Sequence, residues 1–218
     1  MTTRLLLGAL GLAACGGGPG PGSDATDGAL GQGGVRMAWA TEPIVGVASP
    51  DLQIDSVTLQ IANLRLVGDA APGDARTSRT ALTLTWSATA APPDVVFDQA
   101  PPGLYSALEF ELAPEDDGTG TGGPSVDVSG RVRVDGDLSE VTLHDRSEVA
   151  IHVALTLDLA AGTAGALTVS TNLGQVLDAV HWQDVPVVGG ARVLDDAASA
   201  DLGDIRQALS EAVTVTVP

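Results

Sequence analysis

Lysine is absent from this 218-residue chain, and cysteine occurs only once, at Cys15. One thiol excludes an intramolecular disulfide partner and any cysteine-rich metal site. The cations are ten arginines against 28 acids, for a net charge of −18. A surface that acidic is repelled by phosphate backbones, which argues against nucleic acid as a partner. Aromatics are scarce too: three Trp, one Tyr and two Phe. Trp39 and Trp86 fall in apolar alternations expected to be core. That leaves Trp182, in "AVHWQDVPV", as the candidate for an exposed sugar-stacking platform. No uncharged apolar run approaches the roughly 20 residues a membrane-spanning helix needs.

What is present begins at the first residues. Arg4 precedes the apolar run Leu5 to Leu12, and Ala13-Ala14 supply small residues before Cys15. This reads as a secretory signal over residues 1–14. Leu12-Ala13-Ala14-Cys15 resembles the lipobox of bacterial lipoproteins. The resemblance implies cleavage before Cys15, a diacylglycerol on its sulfur, acylation (a palmitate-type chain) of the new amine, and membrane attachment through that lipid. Gly16 after the cysteine, in place of an inner-membrane retention Asp, points to the outer membrane.

Residues 15–34 form the anchor and a tether. Nine glycines crowd into the 19 residues Gly16 to Gly34, which leaves almost nothing to bury. The expected root-mean-square span is roughly 22–26 Å. One folded domain is expected over 35–218, where 44% hydrophobic content over the whole chain is ample for a single core.

Beyond Val35 the pattern is strand-like almost throughout. "VAIHVALTLDL" places Val149, Ile151, Val153, Leu155, Leu157 and Leu159 on one face, the period of two that a strand requires. "VDVSGRVRV", "ALTLTWSA" and "AVTVTV" repeat it. In "SVTLQIANLRLVG" the apolar phase slips by one residue at Ala62-Asn63, which predicts a bulge. Asp135-Gly136 is a two-residue hairpin signal. Pro102-Gly103 has the order a type II turn favours. Short helices are expected near Leu173 to Val180 and Asp201 to Ala212. The second would have Asp201 as N-cap and a stripe of Leu202, Ile205, Ala208 and Leu209. The fold class is therefore all-β, an antiparallel sandwich with a barrel as alternative, carrying one or two short helices.

"QAPPGLYSALEFELA", Gln99 to Ala113, resembles a family of bacterial lipoproteins of unknown function that carry a Pro-Gly-x-Tyr turn before an alternating strand. The resemblance implies a β-sandwich similar to transthyretin-like domains and implies no catalytic residues. Read physically, Tyr105 after Pro102-Gly103 resembles the tyrosine corner of sandwich folds, its ring buried and its hydroxyl bonded to backbone upstream. Tyr105, Pro102 and Gly103 are thus structural expectations.

Chemistry is harder to find. His144, His152 and His181 belong to no H-x-x-x-H or H-E-x-x-H pattern, and all three are expected on the solvated surface. His152 and Asp158 share a strand face about 20 Å apart, too far to pair. "LHDRSE", with His144, Asp145, Arg146 and Glu148, reads as a connection. Ser129 sits inside an alternating strand rather than on a nucleophile elbow. No catalytic residue is nominated. Glu115-Asp116-Asp117, Asp135 with Asp137, and Asp195-Asp196 offer hard oxygen ligands, so calcium is the one cofactor the composition invites. Glu140 occupies the position where an EF-hand loop needs glycine. Surface acids on so acidic a chain ordinarily serve solubility, and no cofactor is expected. The reading is a lipid-anchored envelope protein, non-enzymatic, with an envelope protein or polysaccharide as partner. The alternative is an envelope hydrolase or carbohydrate-active domain whose site is assembled from distant loops.

Overall fold

The computed structural model describes residues 33–69, 73–77, 79–98, 100–115, 122–195 and 199–218. The signal segment and Cys15 lie outside the described residues. Strand β1 (Val35–Glu42) and the long β2 (Leu52–Gly68) are followed by β3 (Ala75–Arg76), β4 (Ala81–Ser87) and β5 (Val95–Phe97). Then come β6 (Gly103–Leu112), β7 (Val126–Val134), β8 (Asp137–Asp145), β9 (Val149–Leu159) and β10 (Gly165–Asn172). Helix α1 (Leu173–Asp178) and a 3-10 turn at Trp182–Asp184 lead to β11 (Val187–Val188) and β12 (Ala191–Leu194). Helix α2 (Ser199–Ala212) runs directly into β13 (Val213–Thr216).

The fold is an all-β sandwich of two sheets. The smaller has the order β13-β10-β1-β5; the larger runs β11-β12-β8-β7-β2-β6-β9, with β3 and β4 also on β2. Neither closes into a barrel among the described residues. The sheets are mixed rather than purely antiparallel, because β1 pairs parallel with β10 and β8 parallel with β12. Both parallel partners lie far apart in sequence, and such pairs need long crossovers that no local turn signal announces.

Strand β2 organises the larger sheet. Val57 is flanked by Trp86 of β4 and Val128 of β7, and Ile61 by Leu82 of β4 and Leu112 of β6. A residue with two ladder partners has one on each edge. Strands β7 and β6 therefore share one edge of β2, taking its first and second halves, while β4 and β3 take the other. The hand-over coincides with the expected bulge. The β2–β6 register shifts between Ala62 and Arg65, and Asn63 adopts φ 56°, a left-handed conformation that Asn tolerates better than most residues.

The other local signals resolve individually. Asp135 (φ 53°) and Gly136 (φ 95°) form the β7–β8 turn, the double positive φ of a type I′ hairpin. Gly103 has φ 153° and begins β6 opposite Leu159, so it opens a strand; a type II turn would need φ near +80°. Helix α2 starts at Ser199, so Asp201 lies inside it and is not the N-cap. Its predicted stripe, Leu202, Ile205, Ala208 and Leu209, is buried. Helix α1 is capped by Asn172, whose side-chain oxygen accepts from the Gln175 amide at 3.1 Å. The core draws Val35, Met37, Trp39 and Phe97 from the small sheet and Leu66, Tyr105, Leu108 and Ile151 from the large one.

Candidate functional site

Polar residues on the solvent phase of four strands line up across the larger sheet. Arg65 of β2 stands between Arg76 of β3 and Glu109 of β6, and Glu109 faces His152 of β9. In sequence each of Arg65, Glu109 and His152 has apolar neighbours on both sides. The pleat sends those neighbours into the core and this set outward. Adjacent strands are about 4.8 Å apart, so one row of directly opposite residues becomes a continuous chain of contacts.

Arg65 forks onto Glu109, with Nε 2.8 Å and Nη2 2.5 Å from Oε2, and its Nη1 donates to Asp74 at 3.0 Å. Asp74 lies 3.8 Å from Arg76 as well, which offsets the repulsion between the adjacent guanidiniums. The other Glu109 oxygen is 3.0 Å from His152 Nδ1. Asn63, held in the bulge, donates to Glu111 at 2.6 Å. Hydrogen bonds from Arg65 and then His152 hold the Glu109 carboxyl below its ordinary pKa, and Glu109 in turn raises that of Arg65. The row floors an open groove of about 460 Å³ that also includes Phe110, Ala150 and Ile151.

The groove can bind through hydrogen bonds and balanced charge. Among the described residues no Ser, Thr or Cys lines it, and a carboxyl with a lowered pKa is ionised at neutral pH and cannot serve there as a general acid.

A second arginine–carboxylate pair has its carboxylate fully buried and its arginine half-buried. The Asp145 side chain is fully inaccessible and receives Arg206 of α2 on both oxygens, Nε to Oδ2 at 2.9 Å and Nη2 to Oδ1 at 2.8 Å. The Ser147 amide donates to Oδ1 at 3.0 Å. The Ser125 hydroxyl sits 2.8 Å from the carbonyl oxygens of both Asp145 and Ser147. Burial alone would raise the Asp145 pKa; the bonds from Arg206 and Ser147 outweigh it and leave it below the usual value. This clamp ties helix α2 to the end of β8. The stretch expected to be a connection is thus strand through Asp145, because Asp145 continues the inward phase of Val141 and Leu143.

The remaining sequence expectations fall as follows. Tyr105 is buried, 1% exposed, and its hydroxyl donates to Pro101 O at 2.6 Å, the backbone-upstream bond expected of a corner. Trp39 and Trp86 are core. Trp182 is no exposed platform: it is 4% exposed, and its indole N–H donates to Leu177 O at 2.9 Å. The turn after α1 folds it back onto the helix.

The histidines are not gathered. His152 is in the groove, His144 lies 3.5 Å from Asp127 on β7, and His181 is exposed before the 3-10 turn. Ser129 meets Ser56 at 2.7 Å in mid-sheet. Of the acids considered for calcium, Asp116, Asp117 and Asp196 lie outside the described residues, while Glu115, Asp135, Asp137 and Asp195 are exposed. Among the described residues no group of three or more acids, histidines or cysteines is placed to hold a metal ion.

Neither the family models nor the curated proteins contain a match to this chain. Among solved structures, MbnP from Methylosinus trichosporium is similar at 15% identity, over 84% of this chain and 97% of that one. Its TM-score is 0.44.

Proposed function

We propose that this chain is a lipid-anchored protein of the bacterial envelope, more fittingly of the outer than the inner membrane, whose sandwich is a non-enzymatic binding module. The observation that carries the anchor is Leu12-Ala13-Ala14-Cys15 behind an apolar leader and ahead of nine glycines. A single acyl chain holds a protein only marginally and reversibly, whereas two or more make release negligible. The lipoprotein family with transthyretin-like sandwiches belongs to this reading, on the strength of Pro102-Gly103-Leu104-Tyr105. The Arg65–Glu109–His152 groove supports binding over catalysis, since its ionic groups are partnered and no hydroxyl or thiol lines it among the described residues. Its alternating donors and acceptors suit an envelope protein or polysaccharide better than a lone ion.

The test is fractionation and mass measurement. The wild-type protein is expected in membranes, released by detergent and not by high salt. Cys15→Ala is expected to lose the acyl mass and to appear either as precursor or as a soluble exported form. A mature wild-type protein without lipid on Cys15 ends the anchor reading. Turnover of a glycan or ester that disappears in His152→Ala would favour the hydrolase alternative.

A further inference from the structure

Strand β5 pairs with β1 only along Val35–Met37. Continuing that register would bring Pro93 and Pro92 opposite Trp39 and Ala40, and proline has no N–H to offer a ladder. From Ala38 to Glu42, β1 is therefore paired on one side alone, with β10. Among the described residues no other backbone bond reaches that stretch. A strand edge of this kind presents unpaired N–H and C=O groups at every second residue.

A recess of about 380 Å³ lies against this edge and shares no lining residue with the groove. It touches Trp39, Ala40 and Thr41, three consecutive residues of β1. Trp39 and Thr41 are on the buried phase of the strand and Ala40 is on the other. Successive side chains leave a strand on opposite faces, so a recess that meets all three follows the rim of the strand. Its far wall is the end of β4, Trp86 and Ser87, with Ala88 to Ala91. Thr41 is 9% exposed, and its hydroxyl has no hydrogen-bond partner among the described residues. Buried hydroxyls normally have one. None of the described lining residues is charged.

We propose that the open edge of β1 takes up an extended, uncharged segment of a partner polypeptide. The segment adds as a strand beside Ala38–Glu42 and continues the line that β5 begins. The backbone names the occupant, because an extended polypeptide supplies alternating donors and acceptors at the spacing of a strand. This chain cannot fill the line by lengthening β5, since the next residues there are Pro93 and Pro92. Alternate side chains of the added strand enter the recess between Trp39 and Trp86. Apolar side chains suit those walls, and the Thr41 hydroxyl gains a partner. A charged one would be desolvated without a counter-charge.

The test uses the full chain labelled with 15N and the neutral pentapeptide acetyl-Ser-Val-Thr-Val-Ser-amide. In the free protein, every second amide of Ala38–Glu42 is expected to exchange rapidly with solvent. The peptide should move those signals saturably and slow their exchange. Two further peptides carry N-methyl groups, one on its second and fourth amides, the other on its third and fifth. Only alternate N–H groups of an added strand face its neighbour. One pattern should therefore weaken binding about tenfold or more, the worth of two modest hydrogen bonds. The other should stay within about threefold of the parent peptide. Aspartate in place of both valines should abolish binding, and so should lysine, which separates the cost of burying a charge from repulsion by the acidic surface. No saturable shift, an equal response to both methylation patterns, or shifts along β4 in place of β1 each overturns the proposal. So does protection of all Ala38–Glu42 amides in the free protein, which a second copy on this edge would produce.

Discussion

The row Arg76–Arg65–Glu109–His152 and the Arg206–Asp145 clamp use the same chemistry, a guanidinium forked on a carboxylate, in opposite surroundings. On the sheet face, Arg65 and Glu109 keep about a third of their side-chain surface in water. Water then competes for every bond, and pairs of this kind contribute little to stability. In the clamp the arginine is as exposed as Arg65, but Asp145 has no exposed side-chain surface. Removing its partner would strand a charge where water cannot reach it, and that asymmetry makes a buried pair costly to break. The exposed row is therefore free to exchange its partners for a ligand. The buried pair has to hold.

The largest expected effect sharpens that contrast. Arg206→Met should lower unfolding stability by about 3 kcal/mol or more, because the Asp145 carboxylate then loses its counter-charge where water cannot reach it. Urea denaturation measures it, and a cost under about 1 kcal/mol would mean that water enters the clamp. The pH dependence has a defined sign. A carboxyl whose folded pKa lies below its unfolded value contributes stability above the unfolded value, near 3.9 for Asp, and that contribution is lost as the pH falls through the folded pKa. Denaturation midpoints should therefore drop below about pH 4 in the wild type, and the drop should be smaller in Asp145→Asn.

Next comes Tyr105→Phe. It leaves Pro101 O without its buried donor and should cost about 1–3 kcal/mol; an unchanged midpoint would remove the corner role. Smaller again is Asn63→Ala, about 1 kcal/mol for a β-carbon residue less tolerant of positive φ, with Asn63→Gly closer to wild type. The smallest effect belongs to the exposed row. Arg65→Met should barely move the denaturation midpoint, and a loss matching that of Arg206→Met would erase the distinction between the two clusters.

Much of this was legible in the chain. The alternation in "VAIHVALTLDL" names the face that β9 buries, apart from Val153 and Leu155, which end half-buried. The one-residue slip at Ala62-Asn63 marks the bulge, and Asp135-Gly136 the hairpin. Trp182 misled because its apolar neighbours are few; the 3-10 turn that tucks its ring away is set by packing against α1. Asp145 misled for a related reason. Next to Arg146 and Glu148 it looks like one more surface acid, and its partner Arg206 lies 61 residues on.

Alternation, turn residues and charge are properties of neighbours in sequence, and they act through steric limits on φ and ψ and through the strand period. They alone determine that this chain forms short strands, where those strands turn, and that the surface is acidic. Which strand lies beside which is decided by burial summed over the whole core, so only the tertiary structure makes β1 and β10 parallel partners. It also divides one edge of β2 between β6 and β7. The Arg65–Glu109–His152 row, the Asp145–Arg206 clamp and the open edge beside Trp39 all follow from those pairings, because each joins residues that meet only after the sheets have formed.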